Sequence, residues 1–283
     1  MSGVVAGRES ERTLRIEPAR GWPGFGAREL WSYRDLARWL VWRDLRVRYA
    51  QTVLGAAWAV LPPVLTTLLF TVVFGRFVQV PSDGAPYAVF AMAALVPWAY
   101  FSAAFSAAGT STVSSTHLFT KIYFPRLVIP LAPVIGAGVD FAVSLALLLV
   151  VMLVAGVYPT PLAIVAVPLL FLLMMVGAAG VGCWLAALNV RFRDVKHLMP
   201  LLVQLWMYAS PIAYPLSVVP ERWRALYALN PMVGVVEGFR TVLLGTGTLT
   251  PGVLAASVAT SVVLFVTGTA YFRATEHLFA DFA

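Results

Sequence analysis

PLAIVAVPLLFLLMMVGAAGVGCWLAAL, residues 161–188, runs for 28 residues without a single charged side chain. Wound as an α-helix at about 1.5 Å per residue it reaches about 42 Å, and a bilayer's hydrocarbon core is about 30 Å thick. The run is apolar throughout and does not alternate, so it is not a strand of a lipid-facing barrel. Inside lipid only a helix then satisfies its backbone. The stretch reads as a membrane-spanning helix, tilted or extending past the hydrocarbon.

Working outward, five more stretches of the same character are found at 52–75, 87–109, 127–157, 198–219 and 252–272. The expected fold is an all-α membrane protein with six transmembrane helices. Prolines 62, 63, 97, 168 and 211 should kink or interrupt them. The whole chain agrees with this reading. Of its 283 residues, 60% are hydrophobic and 12% charged, half the charge of a soluble domain, and the mean hydropathy is +0.83. Soluble enzymes, disordered chains and disulfide scaffolds are excluded. Cys183 is the single cysteine and reads as a packed thiol.

The net charge of +7 lies between the spans, which points to membrane topology and not to nucleic acid. Ten arginines in 1–50, then Lys121, Arg126, Arg191, Arg193, Lys196 and Arg273, fall on one side. Arg76, Arg222, Arg224 and Arg240 fall on the other. Sixteen against four puts both termini in the cytoplasm. Residues 1–27 read as a disordered cytoplasmic tail. Residues 28–50 read as a basic amphipathic helix on the inner membrane surface. One mostly apolar face is traced by Leu30, Tyr33, Ala37, Leu40, Val41 and Asp44, and Trp31, Trp39 and Trp42 sit at headgroup level; the alternative is a soluble helix packed on a partner. Residues 51–283 form the six-helix transmembrane domain.

Catalytic signatures are missing. No lysine follows a glycine, so there is no phosphate-binding loop, and no HExxH or GxSxG setting occurs. An enzyme is not expected, and neither is a metal. One acid, Asp140, falls deep in a span, where a carboxylate costs about 2.5–3.5 kcal/mol. It is either a helix–helix contact, with Ser144 one turn away, or a proton or substrate site.

Five segments, in order, resemble the permease subunit of bacterial ABC-2 exporters of the O-antigen, teichoic-acid and related polysaccharide type. They are RDLRVRYAQTVLGAAW (43–58), VPWAYFSAAF (96–105), LFTKIYFPRLVIPL (118–131), LNVRFRDVKHLMPLLVQLWMYASPIAYP (188–215) and ALNPMVGVVEGFR (228–240). The resemblance covers about residues 30–272. It implies a homodimer in the bacterial inner membrane carrying two separate ATPase subunits. ATP and Mg bind in those partners and not in this chain.

The resemblance also implies roles. The loop at 114–126 would be a coupling helix docking into the ATPase through Phe119, Tyr123 and Phe124, flanked by Lys121 and Arg126. Apart from the resemblance, Arg191, Arg193, Asp194 and Lys196 form a second cluster on the same side, in which Arg193 and Asp194 either pair with the ATPase or with the 28–50 helix, or serve only as topogenic charge. The outer segment 219–249 would hold re-entrant helices acting as an exit gate. Within it Glu237 and Arg240, three residues apart, can pair on one helix face. Spans one and five would line the dimer interior, which favours Trp58, Trp206, Tyr208 and Tyr214 as a stacking surface for sugar rings. The expected function is export of a polysaccharide, lipid-linked, from the cytoplasm. Small-molecule export by the same kind of transporter is the alternative, and a proton-coupled transporter using Asp140 is the rival of another class.

Overall fold

The computed structural model describes residues 31–49, 57–115, 124–192, 194–247 and 249–276. The expected tail 1–27 lies outside them. Nine α-helices follow in chain order among the described residues. They are α1 (Arg34–Tyr49), α2 (Ala57–Phe70), α3 (Tyr87–Ser114), α4 (Val128–Val154), α5 (Ala163–Arg191), α6 (Val195–Tyr208), α7 (Glu221–Tyr227), α8 (Pro231–Leu244) and α9 (Pro251–Thr275). α2 continues directly into a π-helix, Thr71–Phe77. The described residues contain no strand.

Five stretches are long and apolar enough to cross a membrane: Val60–Phe77, α3, α4, α5 and α9. The fifth expected span, 198–219, is not a continuous helix, and here the sequence expectation is corrected. α6 is 14 residues long, about 21 Å, which falls short of the hydrocarbon thickness. It stops at Tyr208, where Pro211 and Pro215 withhold the N–H groups a continuing helix needs. The stretch nevertheless runs from one end of α3 to the other. Met199 packs on Gly109, and the Ala213 carbonyl accepts a 2.7 Å hydrogen bond from the Tyr87 hydroxyl. The prolines at 62, 63, 97 and 168, by contrast, lie inside helices that continue through them.

α3 is the centre of the bundle. Of its most apolar 18-residue stretch 78% is buried inside the chain, against 17% for the α2 stretch. A helix can be enclosed on all sides only if it is apolar on all sides, and AVFAMAALVPW (88–98) meets that condition. Aromatic rings tie its neighbours to it. Phe141 of α4 stacks on Phe171 of α5 at 4.9 Å, and the Tyr100 ring of α3 meets both, at 5.6 and 5.0 Å. The Phe239 ring of α8 stands edge-on to Phe141.

α5 and α9 approach until their backbones touch. A Cβ added at Gly268 would collide with the Gly180 carbonyl, and one at Gly180 with the backbone of Leu264 and Phe265. Small residues permit this in lipid, where packing and not water expulsion drives association. Trp184 locks the pair by stacking on Tyr271 at 4.3 Å and donating to Thr267 Oγ1.

On the face the sequence proposes for α1, Leu40 is buried against protein and Tyr33, Ala37, Val41 and Asp44 are half-buried, while Leu30 lies outside the described residues. Leu40, with Tyr33, Leu36, Ala37 and Val41 around it, packs on Val128 and Ala132 of α4. Trp31, Trp39 and Trp42 remain exposed. Each lies beneath a guanidinium, of Arg34, Arg43 and Arg46 respectively, at 4.8–5.7 Å. The bundle thus has an α1 end, where α3 and α5 finish and α4 begins, and an α8 end, where α3 and α5 begin.

Candidate functional site

α8 forms the hood at its end of the bundle. Its local sequence explains its limits. Asn230 caps the first turn by accepting from Met232 N–H, Pro231 occupies the first helical position, and Gly245 closes the helix in the left-handed conformation at φ 69°. Every residue from Pro231 to Arg240 is buried, between α3, α5 and α9. At the α9 contact, Gly234 N–H donates to Ser257 Oγ at 3.0 Å.

Glu237 and Arg240 pair as the three-residue spacing predicts, at 3.2 Å, with both side chains only 1% exposed. Two charges this deep need further partners to offset desolvation, and the broken segment after α6 supplies them. The guanidinium donates to the carbonyls of Ile212 at 2.9 Å and Tyr214 at 3.2 Å. Glu237 Oε1 accepts from Leu216 N–H at 3.3 Å. The Arg240 guanidinium carbon lies 3.6 Å from the Phe90 ring centroid, with α3 as the floor. The pair therefore fastens the non-helical chain at 212–216 to α8, satisfying backbone groups that a continuous helix would have satisfied itself.

Asn230 is a second junction. Its Oδ1 accepts from Trp206 Nε1 at 2.9 Å, and its Nδ2 donates to the Ala209 carbonyl and to Ser210 Oγ, both at 2.9 Å. The Trp206 ring stands on Phe101 and Phe105 of α3. So Trp206, expected as a sugar-stacking residue, is held in the joint between α6 and α8. One side of it borders a largely apolar groove of about 660 Å³ that also includes Leu205, Trp223, Leu226 and Leu264. Tyr208 is exposed at the end of α6. The Tyr214 hydroxyl shares a 2.7 Å hydrogen bond with Tyr227 of α7. The Trp58 side chain lies outside the described residues. Of the expected stacking residues, Trp206 and Tyr214 are tied by hydrogen bonds into the hood, and Tyr208 is exposed beside them, its carbonyl accepting from the Tyr214 hydroxyl at 3.3 Å.

Sequence reasoning passed over Asn230, Phe90 and Tyr227 as site residues. Asn230 was findable, since Asn-Pro ahead of an apolar run is a helix-start signature. Phe90 was not, because its contact with Arg240 spans 150 positions.

At the α1 end, Phe119, Lys121, Tyr123 and Arg193 lie outside the described residues. Phe124 is 7% exposed, a packed side chain and not a projecting anchor. Arg126 donates to the Glu276 carbonyl, tying the approach to α4 to the end of α9. Asp194 is exposed beside the start of α6. Its carbonyl accepts from His197 and Leu198 N–H. Asp140 is half-buried midway along α4.

The profile of the ABC-2 type transporter membrane family matches residues 35–244. The chain belongs to that family. Among curated ABC-2 relatives, the O-antigen export system permease protein RfbA of Myxococcus xanthus is 33% identical over 256 residues, covering 90% of this chain and 97% of the relative. An O-antigen export system permease protein RfbA of Klebsiella pneumoniae is 28% identical, covering 84% of this chain and 91% of the relative. The polysialic acid transport protein KpsM of Escherichia coli is 26% identical, covering 83% and 91%. The ABC-2 match includes α1, which belongs to the family's fold and is not an appendage to it.

Proposed function

We propose that this chain is the membrane permease subunit of an ATP-driven exporter that carries a polysaccharide, assembled on a lipid, out of the cytoplasm. The observation that carries this reading is the end-to-end likeness to O-antigen and polysialic acid permeases. One relative is matched over 97% of its length, hood segment included. Two copies would enclose the path, and an ABC ATPase would dock at the α1 end. The excess of Lys and Arg there, sixteen against four, supports placing that end and both termini in the cytoplasm of a bacterium whose inner membrane holds the protein.

In this reading the stretch 116–123 is the docking element, with Tyr123 and Phe119 as anchors. Phe124 and Arg126 hold its exit in place. The hood is the outer gate. ATP binding would close the ATPase dimer and displace the α1 end as a rigid body, and the joints at Asn230 and Glu237–Arg240 are where the outer end yields or holds. A partner ATPase supplies the ATP and Mg chemistry, and this chain converts its motion into a path.

The test is deletion of the gene. Surface polysaccharide should disappear while the same glycan accumulates inside the cell, and the wild-type gene should restore export. Unchanged surface glycan would refute the reading. An altered drug tolerance with normal glycan would favour small-molecule export instead.

A further inference from the structure

We propose that the groove between α2, α3 and α4 at the α8 end is a binding site for one anionic glycerophospholipid, its phosphate on Arg76 and one acyl chain along Val64, Leu68, Val72, Met92 and Val151. The groove has a volume of about 460 Å³, and those residues line it. Apart from Arg76, its polar contribution is limited to Thr67 and Thr71. Thr71 Oγ1 already donates to the Thr67 carbonyl at 2.7 Å. The trough is therefore apolar along its length and cationic at one end.

The π-helix brings the cation there. In an unbroken α-helix, positions 64, 68, 72 and 76 drift about 40° around the axis at each step. The residue ending the series would then stand about 120° from the first. A π turn advances the chain by a smaller angle per residue. Across Thr71–Phe77 it swings position 76 back over the line of Val64, Leu68 and Val72. Gly75 pins this distorted turn, because a Cβ there would lie 3.0 Å from the Tyr87 ring. π segments occur frequently at functional sites. The Arg76 side chain is exposed and forms no ion pair among the described residues.

Depth selects the ligand. Arg76 stands at the last turn of the apolar stretch Val60–Phe77, the level at which a spanning helix meets headgroups. A guanidinium at that level matches a phosphate in shape and charge. The apolar trough runs from it toward the bilayer centre, as an acyl chain does. The site rests on the membrane-spanning fold and not on the identity of the transported glycan.

Native mass spectrometry of the full-length permease, purified in detergent and stripped of lipid, tests the proposal. Phosphatidylglycerol and phosphatidylcholine are added back at equal concentration. Wild type should retain one phosphatidylglycerol in preference to phosphatidylcholine. Arg76→Gln should weaken that retention about tenfold, the loss expected for one charge-assisted contact. Arg76→Lys should recover part of it. Val72→Trp, which fills the trough while leaving Arg76 in place, should abolish it. Equal retention by wild type, Arg76→Gln and Val72→Trp would overturn the site. Loss in Val72→Trp with full retention in Arg76→Gln would overturn the assignment of the phosphate to Arg76. Efficient disulfide cross-linking between copies through Val72→Cys would show a second chain over the groove and overturn the lipid. Each variant's elution profile and melting temperature, matched to wild type, exclude misfolding as the cause.

Discussion

Replacing Arg240 with methionine keeps the length and apolar contact of the side chain and removes its charge. The consequence can be worked from its surroundings. Glu237, 1% exposed, would be left as a buried carboxylate whose partner at 3.2 Å is gone. The carbonyls of Ile212 and Tyr214 would lose their donor. Removing one member of a buried pair costs about 3–5 kcal/mol. At about 2–4 °C per kcal/mol for a chain approaching this size, the melting temperature should drop by roughly 10 °C. Glu237→Leu alone should cost a similar amount, because the guanidinium is then the stranded charge. The double variant Glu237→Leu/Arg240→Met strands neither charge. It should recover most of the loss, short by roughly 2 kcal/mol for the backbone groups at 212–216 left without partners. The assay is thermal unfolding in detergent across the full cycle, with glycan export measured in cells. A coupling energy near zero, or an Arg240→Met variant within about 0.5 kcal/mol of wild type, would refute the reading of the pair as the fastener of the hood.

Asn230→Ala should cost about 2 kcal/mol, combining a lost helix cap with the stranded Trp206 N–H; a melting temperature unchanged from wild type would remove Asn230 from the joint. Asp140→Asn should leave glycan export intact, as amide and acid share a shape; abolished export at normal expression would shift weight to proton coupling. Tyr123→Ala should leave the permease inserted while weakening co-purification of the ATPase about thirtyfold, the loss of an interface anchor worth about 2 kcal/mol. Undiminished co-purification would show that 116–123 is not the docking element.

The helical membrane architecture was legible because uncharged length is itself a physical signal, as in 161–188. The Glu237–Arg240 pair was legible for a similar reason, since it is local and helical spacing brings it together. What sequence could not show depends on distance along the chain. Hydropathy sees residues 198–219 as a single span, because Ala209, Pro211, Ile212 and Ala213 are as apolar as the helix before them. The helix ends there through backbone hydrogen bonding. The loose end is then held by residues twenty to thirty positions away. Trp206 illustrates the same limit: an aromatic ring in a span can face a cargo, lipid or a joint, and only its partner Asn230 decides among them. Phe124 looked like an exposed anchor because its loop is short, but packing takes it inside.

α9 is fastened near both of its ends, and this has a mechanical meaning. At the α1 end Arg126 holds the Glu276 carbonyl. Toward the α8 end Ser257 receives the Gly234 N–H of the hood. Glu276 lies 19 positions beyond Ser257, a strut of about 28 Å. A hydrogen-bonded helix hardly shortens under load, so a push delivered next to the 116–123 stretch arrives at the hood as translation and is not absorbed by intervening bends. The contact of α5 and α9 through Gly180 and Gly268, locked by Trp184 on Tyr271 and Thr267, makes α5 travel with the strut and resists separation. We expect Arg126→Ala to disengage the strut. Spin labels at Arg222→Cys in two copies should then lose the ATP-dependent change in spacing expected of the otherwise unaltered protein, and an unaltered change would mean the load travels by another route.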